Sequence, residues 1–166
     1  LTSDSLKMLQ QLANYHRKQL KCVVIGITGS NGKTTSKELM QAVLSTSYKS
    51  YATEGNLNNH IGVPLTLLRI GDDVEYALIE MGANHVGEIK SYCKIAEPQF
   101  GIITNIGKAH IEGFKSYEGV KKAKSELYQH VEKNKGTVIV NADLNYLLEL
   151  AKRINSVITY GTAEGA

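Results

Sequence analysis

A glycine-rich run, Gly26-Ile27-Thr28-Gly29-Ser30-Asn31-Gly32-Lys33-Thr34-Thr35, carries the residue types from which a phosphate cradle is built. It follows an apolar stretch, Cys22-Val23-Val24-Ile25, and precedes a segment in which Leu39, Met40, Val43 and Leu44 recur at helical spacing. A strand, a glycine-rich turn and a helix in that order present backbone N–H groups and the positive end of the helix to an anion, and a lysine adds a full charge. In that arrangement Thr28, Gly29, Ser30, Asn31, Gly32, Lys33, Thr34 and Thr35 hold nucleotide phosphates. Lys33 reaches the terminal ones and the Thr34 hydroxyl ligates Mg²⁺. The pattern G-x-x-x-x-G-K-[ST] requires glycine where Ile27 stands, so the run is a variant, and its strand–loop–helix context carries the assignment. The plain alternative, a turn rich in glycine by chance, leaves Gly-Lys-Thr-Thr after an apolar strand unexplained.

Three further side chains could do chemistry. Glu80 is the one charge inside Tyr76-Ala77-Leu78-Ile79-Glu80-Met81, a stretch otherwise apolar on both faces. A buried carboxylate needs a metal or a partner, so Glu80 is either a Mg²⁺ ligand opposite the phosphate loop or half of an ion pair with a core lysine. Val120, Ala123, Leu127, Tyr128 and Val131 form one stripe at the ~100° per residue of a helix. Lys124 falls inside that stripe, Lys121 at its margin, and Lys122 and Lys133 away from it. An inward lysine snorkels or pairs with a carboxylate. Alternatively, desolvation lowers its pKa, and the neutral amine can react with a carbonyl compound or with CO₂. A carbamylated Lys124 would carry a carboxylate able to bind a second metal. His110, in Gly107-Lys108-Ala109-His110-Ile111-Glu112-Gly113, is a surface hydrogen-bonder, a ligand of a second ion, or a group that orients phosphate or carbamate; imidazole suits Mg²⁺ poorly.

The elements that must position these residues follow from periodicity and turn chemistry. Residues 3–19 read as a helix capped by Ser3 or Asp4, with Leu6, Leu9, Leu12 and Ala13 as its apolar side. After the first strand and loop, the second helix runs to about Ser45. A strand over about 49–53 leads into Glu54-Gly55-Asn56-Leu57-Asn58-Asn59-His60, an asparagine-rich loop expected to be ordered. Ile61–Ile70 is apolar, with Pro64 suited to a first helical turn, and 71–73 is a turn. Strands are predicted at 76–81, 100–105, 137–141 and 156–160, and helices at 86–96, 117–133 and 144–154, with a long loop holding Gly107 and Gly113. The alternation predicts an α/β fold, a mostly parallel six-stranded sheet with helices on both faces. Right-handed crossovers bring the carboxyl ends of parallel strands to one edge, where ligands of such sheets bind. The chemically interesting residues keep to that edge: the phosphate loop follows strand one, the asparagine loop strand two, Glu80 closes strand three, His110 follows strand four, and Asn141 ends strand five.

The 166 residues, 42% of them hydrophobic, fit one domain with a single core. No apolar run approaches the ~20 residues of a membrane span. A net charge of +3 from scattered lysines is too small to argue for nucleic acid as a partner. Cys22 and Cys93 read as buried thiols of a reducing compartment. Leu1-Thr2-Ser3-Asp4 has neither a secretory pattern nor an initiator methionine, so the chain reads as part of a longer cytoplasmic protein.

Taken together these segments resemble the central, ATP-binding domain of the Mur ligase family, from about Val23 to Tyr160. The motifs are Thr-Gly-Ser-Asn-Gly-Lys-Thr-Thr at 28–35, Gly-Asn-Leu-Asn-Asn-His-Ile-Gly-Val-Pro at 55–64 and Ile-Glu-Met-Gly-Ala-Asn-His-Val-Gly-Glu-Ile at 79–89. Ala-His-Ile-Glu-Gly-Phe at 109–114, Lys-Ala-Lys-Ser-Glu-Leu at 122–127 and Asn-Ala-Asp at 141–143 complete the set. The second and third are most similar to the branch that adds D-alanyl-D-alanine to UDP-N-acetylmuramoyl-tripeptide, in peptidoglycan precursor synthesis. The first motif also fits folylpolyglutamate synthases, and a non-catalytic P-loop nucleotide-binding module is the reading from a different class. The resemblance implies ATP and two Mg²⁺ ions, with Thr34 and Glu80 on one ion and Glu80, His110 and carbamylated Lys124 on the other. It implies catalytic parts for Lys33, Glu80, His110 and Lys124, substrate contacts by Asn59, Asn84 and His85, and a nucleotide contact by Asn141. It further implies that 1–21 is a helix leading from a preceding domain, that 22–166 is part of the ATP-binding domain, and that a C-terminal domain follows. Such an enzyme is expected to be a monomer acting on small molecules, with no nucleic-acid or membrane partner, and the piece alone is expected not to turn over.

Overall fold

The computed structural model describes residues 4–107, 111–114 and 116–162. Its strands are β1 (Val23–Thr28), β2 (Ser50–Ala52), β3 (Tyr76–Glu80), β4 (Phe100–Ile103), β5 (Thr137–Asn141) and β6 (Val157–Tyr160). Its helices are α1 (Ser5–Gln19), α2 (Lys33–Leu44), α3 (Gly62–Leu68), α4 (Glu88–Ala96), α5 (Ile111–Phe114), α6 (Tyr117–Lys133) and α7 (Asn145–Ala151). The six expected strands form one sheet, ordered β2-β3-β1-β4-β5-β6, with every neighbouring pair parallel. Two details differ from expectation. The first strand runs on through Gly26 and Ile27 to Thr28, and a short helix, α5, interrupts the loop after β4.

Strand order decides which face each helix covers. Only the step from β1 to β2 runs toward the β2 edge; the other four run toward β6. With right-handed crossovers, α2 falls on one face and α3, α4, α6 and α7 on the other. The packing agrees. Val24, Ile79, Ile103 and Val138 face a large core shared with α3, α4, α6 and α7, and with Ala13 and Leu20 at α1 and its end. Ile25, Ile27, Leu78 and Ile102 face a small cluster topped by Met40 and Leu44 of α2. Because α2 lies alone there, Leu39 and Val43 have nothing to pack on and are 64% and 70% exposed, although the sequence spacing places them in its apolar stripe. The residue α2 buries completely is Lys37. Leu12 likewise points outward from α1, whose inward side runs through Ala13 to Arg17. All four residues of β6 are exposed.

Helix α6 is seated by two glycines. Gly26 and Gly101 are register partners on β1 and β4. A Cβ on Gly26 would stand 2.9 Å from Leu127 Cδ1, and one on Gly101 would stand 3.2 Å from Leu127 Cγ. The missing side chains make the groove that receives Leu127, and the Tyr128 hydroxyl donates to the Ile139 carbonyl at 3.0 Å. Lys124, one turn earlier, is therefore carried on a helix with a fixed height above the sheet. At the other end, buried Arg17 anchors α1 by donating to the carbonyls of Ala96 (2.8 Å), Leu20 and Glu97 (both 3.3 Å) and to Gln99 Oε1 (3.2 Å). Leu127→Ala empties the glycine groove and is expected to lower unfolding free energy by about 2–5 kcal/mol in urea titration.

Candidate active site

The glycine-rich loop leaves β1 and enters α2 through Gly32, whose φ of 74° is left-handed and whose lack of a side chain leaves the helix end uncapped. The first N–H groups of α2 thus have no intrahelical partner and face outward for an anion. Gly29 is required for a second reason: a Cβ there would stand 1.9 Å from Thr104 Oγ1. The chain after β4 braces the loop. Asn105 accepts from Ser30 N–H through its carbonyl (3.0 Å) and from Asn31 N–H through Oδ1 (3.0 Å), while its Nδ2 donates to the Asn31 carbonyl (3.1 Å). Those two loop N–H groups are therefore engaged by Asn105, and the donors left for phosphate are concentrated at the helix start. Thr28 is buried and its hydroxyl donates to the Met81 carbonyl at 2.8 Å, a strut between strand ends. Thr35 is exposed. Lys33 folds back over its own loop, donating to the carbonyls of Gly29 (3.0 Å) and Ser30 (3.4 Å). Burial lowers its pKa, and the Glu80 carboxylate opposes that shift.

Glu80 is 1% exposed at the tip of β3. Its Oε2 accepts from the Thr34 hydroxyl at 2.9 Å and its Oε1 from Asn58 Nδ2 at 2.7 Å. Its own N–H donates to Thr53 Oγ1 at 3.0 Å. Its contacts are thus a hydroxyl and an amide, and no ion pair to Glu80 is seen among the described residues. A hydroxyl and a carboxylate this close, beside the phosphate loop, form an oxygen donor set that fits Mg²⁺. That ion commonly takes one or two protein oxygens and completes its shell with phosphate and water. Asn58 is a site residue that sequence reasoning missed. The asparagine-rich loop pointed to it, but which asparagine turns inward depends on the loop's path. Asn59 lines the same cleft, and its Oδ1 accepts from the N–H groups of Ile61 (3.0 Å) and Gly62 (2.9 Å) at the start of α3.

Lys124 is 2% exposed, as its place in the apolar stripe predicts. Burial, then the charge of Lys33, pull its pKa down to about 8, against the carboxylates of Glu88 and Glu126. Its Nζ lies 5.6 Å from the Phe114 ring centroid, within cation–π range. Neither snorkelling to water nor a carboxylate in direct contact accounts for it among the described residues. Lys33, Lys124, Asn58, Asn59, Asn84 and His85 all line one open cleft of about 310 Å³. The turn carrying Asn84 and His85 is held by Glu88, whose Oε2 accepts from their N–H groups at 2.7 and 3.0 Å. Glu126 caps α4 by accepting from Gly87 N–H (2.7 Å) and Lys90 N–H (2.9 Å). Sequence reasoning gave neither carboxylate a role of its own. Asn141 does not line the cleft; its Oδ1 accepts from the Asp143 N–H at 2.9 Å and closes the turn after β5. His110 lies outside the described residues.

The profile of the Mur ligase middle domain matches residues 27–166. The UDP-N-acetylmuramoyl-tripeptide–D-alanyl-D-alanine ligase of Bacillus subtilis (strain 168) is 44% identical over 162 residues, covering 98% of this chain and 35% of that protein. A crystal structure of MurF from Acinetobacter baumannii superposes with a TM-score of 0.89 at 39% identity, over 99% of this chain and 36% of that one. A crystal structure of MurF ligase from Thermotoga maritima in complex with ADP also gives 0.89, at 32% identity, over 97% of this chain and 38% of that one. The chain spans about a third of the length of these relatives.

Carbon NMR of labelled lysine is expected to show Lys124 losing its proton with a midpoint near 8, so that it is charged below that pH and neutral above it. Surface lysines should titrate above about 10. Lys33→Met removes a like charge and is expected to move the Lys124 midpoint upward.

Proposed function

The chain belongs to the Mur ligase family as its middle domain, and we propose that it is the ATP-handling part of a ligase that joins D-alanyl-D-alanine to UDP-N-acetylmuramoyl-tripeptide in peptidoglycan precursor synthesis. The observation that carries this reading is the contact between Thr34 Oγ1 and Glu80 Oε2, 2.9 Å long, in the turn after Lys33 and beside the cleft that also holds Lys124. It is what a site for a metal–triphosphate requires, and the relatives at about 40% identity supply the acceptor and donor classes.

In this reading a terminal carboxylate oxygen of the tripeptide attacks the γ-phosphorus of ATP. The bond to the bridging oxygen breaks, and ADP leaves with the electron pair. The amine of D-alanyl-D-alanine then attacks the carbonyl carbon of the acyl phosphate. The tetrahedral intermediate expels phosphate, and the amine's proton passes to phosphate or solvent. Lys33 and the first N–H groups of α2 hold and orient the phosphates, so catalysis is mainly positioning and charge neutralisation. Mg²⁺, for which Thr34 and Glu80 supply oxygen donors, would neutralise charge on the phosphoryl oxygens. Lys124, neutral in part at pH 8, can add to CO₂ with loss of a proton. The resulting carbamate, with Glu80 and His110, would offer donors to a second ion. Asn59, Asn84 and His85 line the cleft where the acyl group and amine would meet. Asn141 is given no part, because its side chain closes a turn.

No helix among the described residues is long and apolar enough to cross a membrane. In this reading the enzyme works on soluble nucleotide-linked precursors in the cytoplasm. The reading takes it to be a monomer whose remaining segments bind the uridine nucleotide and complete the ATP site.

Phosphate release by the full-length parent is expected to require UDP-N-acetylmuramoyl-tripeptide, with amide formation requiring D-alanyl-D-alanine, while this chain alone binds ADP without turnover. Lys33→Ala in the parent is expected to lower kcat/KM by about 100-fold or more. Release driven by a folate substrate and not by the muramoyl peptide would overturn the assignment.

A further inference from the structure

Lys37 lies one turn beyond Lys33 on α2, and it is 0% exposed. Its ammonium donates to the Thr53 carbonyl and lies 2.8 Å from Glu38 Oε1. Burying an ammonium is costly even with the partly exposed Glu38 carboxylate beside it, and a methionine would fill similar volume with no charge to desolvate. The charge therefore has to be explained by what it holds. Thr53 is itself buried, at the junction of two strand ends. Its N–H donates to the Leu78 carbonyl at 2.9 Å, and its hydroxyl accepts from Glu80 N–H at 3.0 Å. Five residues later Asn58 reaches the Glu80 carboxylate.

Helix α2 does not need Lys37 merely to stay on the sheet. Gln41 Nε2 already donates to the Ser50 carbonyl at 3.1 Å, joining α2 to the start of β2. The Lys37 contact is made at the other end of β2, next to Glu80. Thr34 and Glu80 touch directly, and that hydrogen bond joins α2 to β3. An ion held by both oxygens would pull on that contact, and the link through Thr53 is a second tie that would keep the two elements in register.

We propose that Lys37 is a positioning residue: through Thr53 it sets the spacing between the first turn of α2 and the tip of β3, so that Thr34 and Glu80 present their oxygens to Mg²⁺ at a fixed separation. This rests on the reading of the cleft as a Mg²⁺–nucleotide site. Neither the glycine-rich motif nor the pairing of Thr34 with Glu80 identifies Lys37; its burial and its link to Thr53 do.

The test is calorimetric titration of the full-length parent with ADP over a range of Mg²⁺ concentrations, beside the thermal midpoint measured without either. Lys37→Met and Thr53→Val are each expected to raise the Mg²⁺ concentration for half-maximal ADP affinity by about tenfold or more. The double variant should be little worse than the worse single one, because the Lys37 contact to the Thr53 carbonyl and the Thr53 hydroxyl contact to Glu80 N–H act in series. Gln41→Leu should lower the thermal midpoint and leave the Mg²⁺ requirement alone. Lys37→Met and Thr53→Val variants that lose thermal stability yet keep the wild-type Mg²⁺ requirement within about twofold would overturn the proposal in favour of packing alone. If Lys37→Met does not fold, the near-isosteric Thr53→Val decides by the same readout. A wild-type parent that shows no Mg²⁺-dependent ADP binding would instead remove the site reading, and this proposal with it.

Discussion

A carboxylate with almost no water around it must be held by donors, and at the tip of β3 those donors come from elsewhere in the chain. Thr34 reaches the Glu80 carboxylate from α2 and Asn58 from the loop after β2, while the Thr53 hydroxyl, just past the end of β2, accepts from the Glu80 N–H. This convergence depends on sheet order. Placing β3 between β2 and β1, all parallel, brings the ends of the three strands to one rim, together with the loops that follow them. Inserting β4 on the far side of β1 supplies the brace from Thr104 and Asn105 that shapes the phosphate loop. Moving any of these strands would separate groups that no single segment could bring together.

The electrostatics follow from the same crowding. Two ammonium groups, Lys33 and Lys124, share a cleft in which burial lowers both their proton affinities, and the charge of Lys33 lowers that of Lys124 further. Lys33 rests on the carbonyls of its own loop, which are partial charges where a triphosphate would offer full ones. Charge–charge attraction between an anion and these two ammonium groups would be less screened there than in bulk water. Glu88 and Glu126 act at longer range on Lys124, while their direct contacts are with backbone N–H groups that shape the neighbouring turn and helix.

What could be read from the sequence was what repeats or alternates. The strand–loop–helix order, the lone Glu80 in an apolar strand and the inward Lys124 each broke a local pattern, and the structure bears out their placement. The choice between Asn58 and Asn59 was not legible, because a loop has no period to say which side chain turns in. Lys37 was missed because a lysine in an amphipathic helix normally marks the wet side. Leu39 and Val43 were misread as inward for the complementary reason: periodicity finds an apolar side but does not show whether another helix lies beside it. Asn105 carried no signal, since its role comes from a loop more than 70 residues away in sequence, with the contact to Asn31 spanning |i−j| = 74.

Helix α2 alone on its face, with β6 at the rim, has a consequence for handling rather than for chemistry. Val157, Ile158 and Tyr160 are exposed on a terminal strand whose outer backbone groups pair with nothing among the described residues, and Leu39 and Val43 add exposed apolar surface on α2. Such a border invites strand-to-strand adhesion between copies. The colloidal behaviour of this chain is therefore governed at the end of the sheet remote from β2, and dilution or a charged residue at position 158 would improve its solubility without touching the phosphate loop.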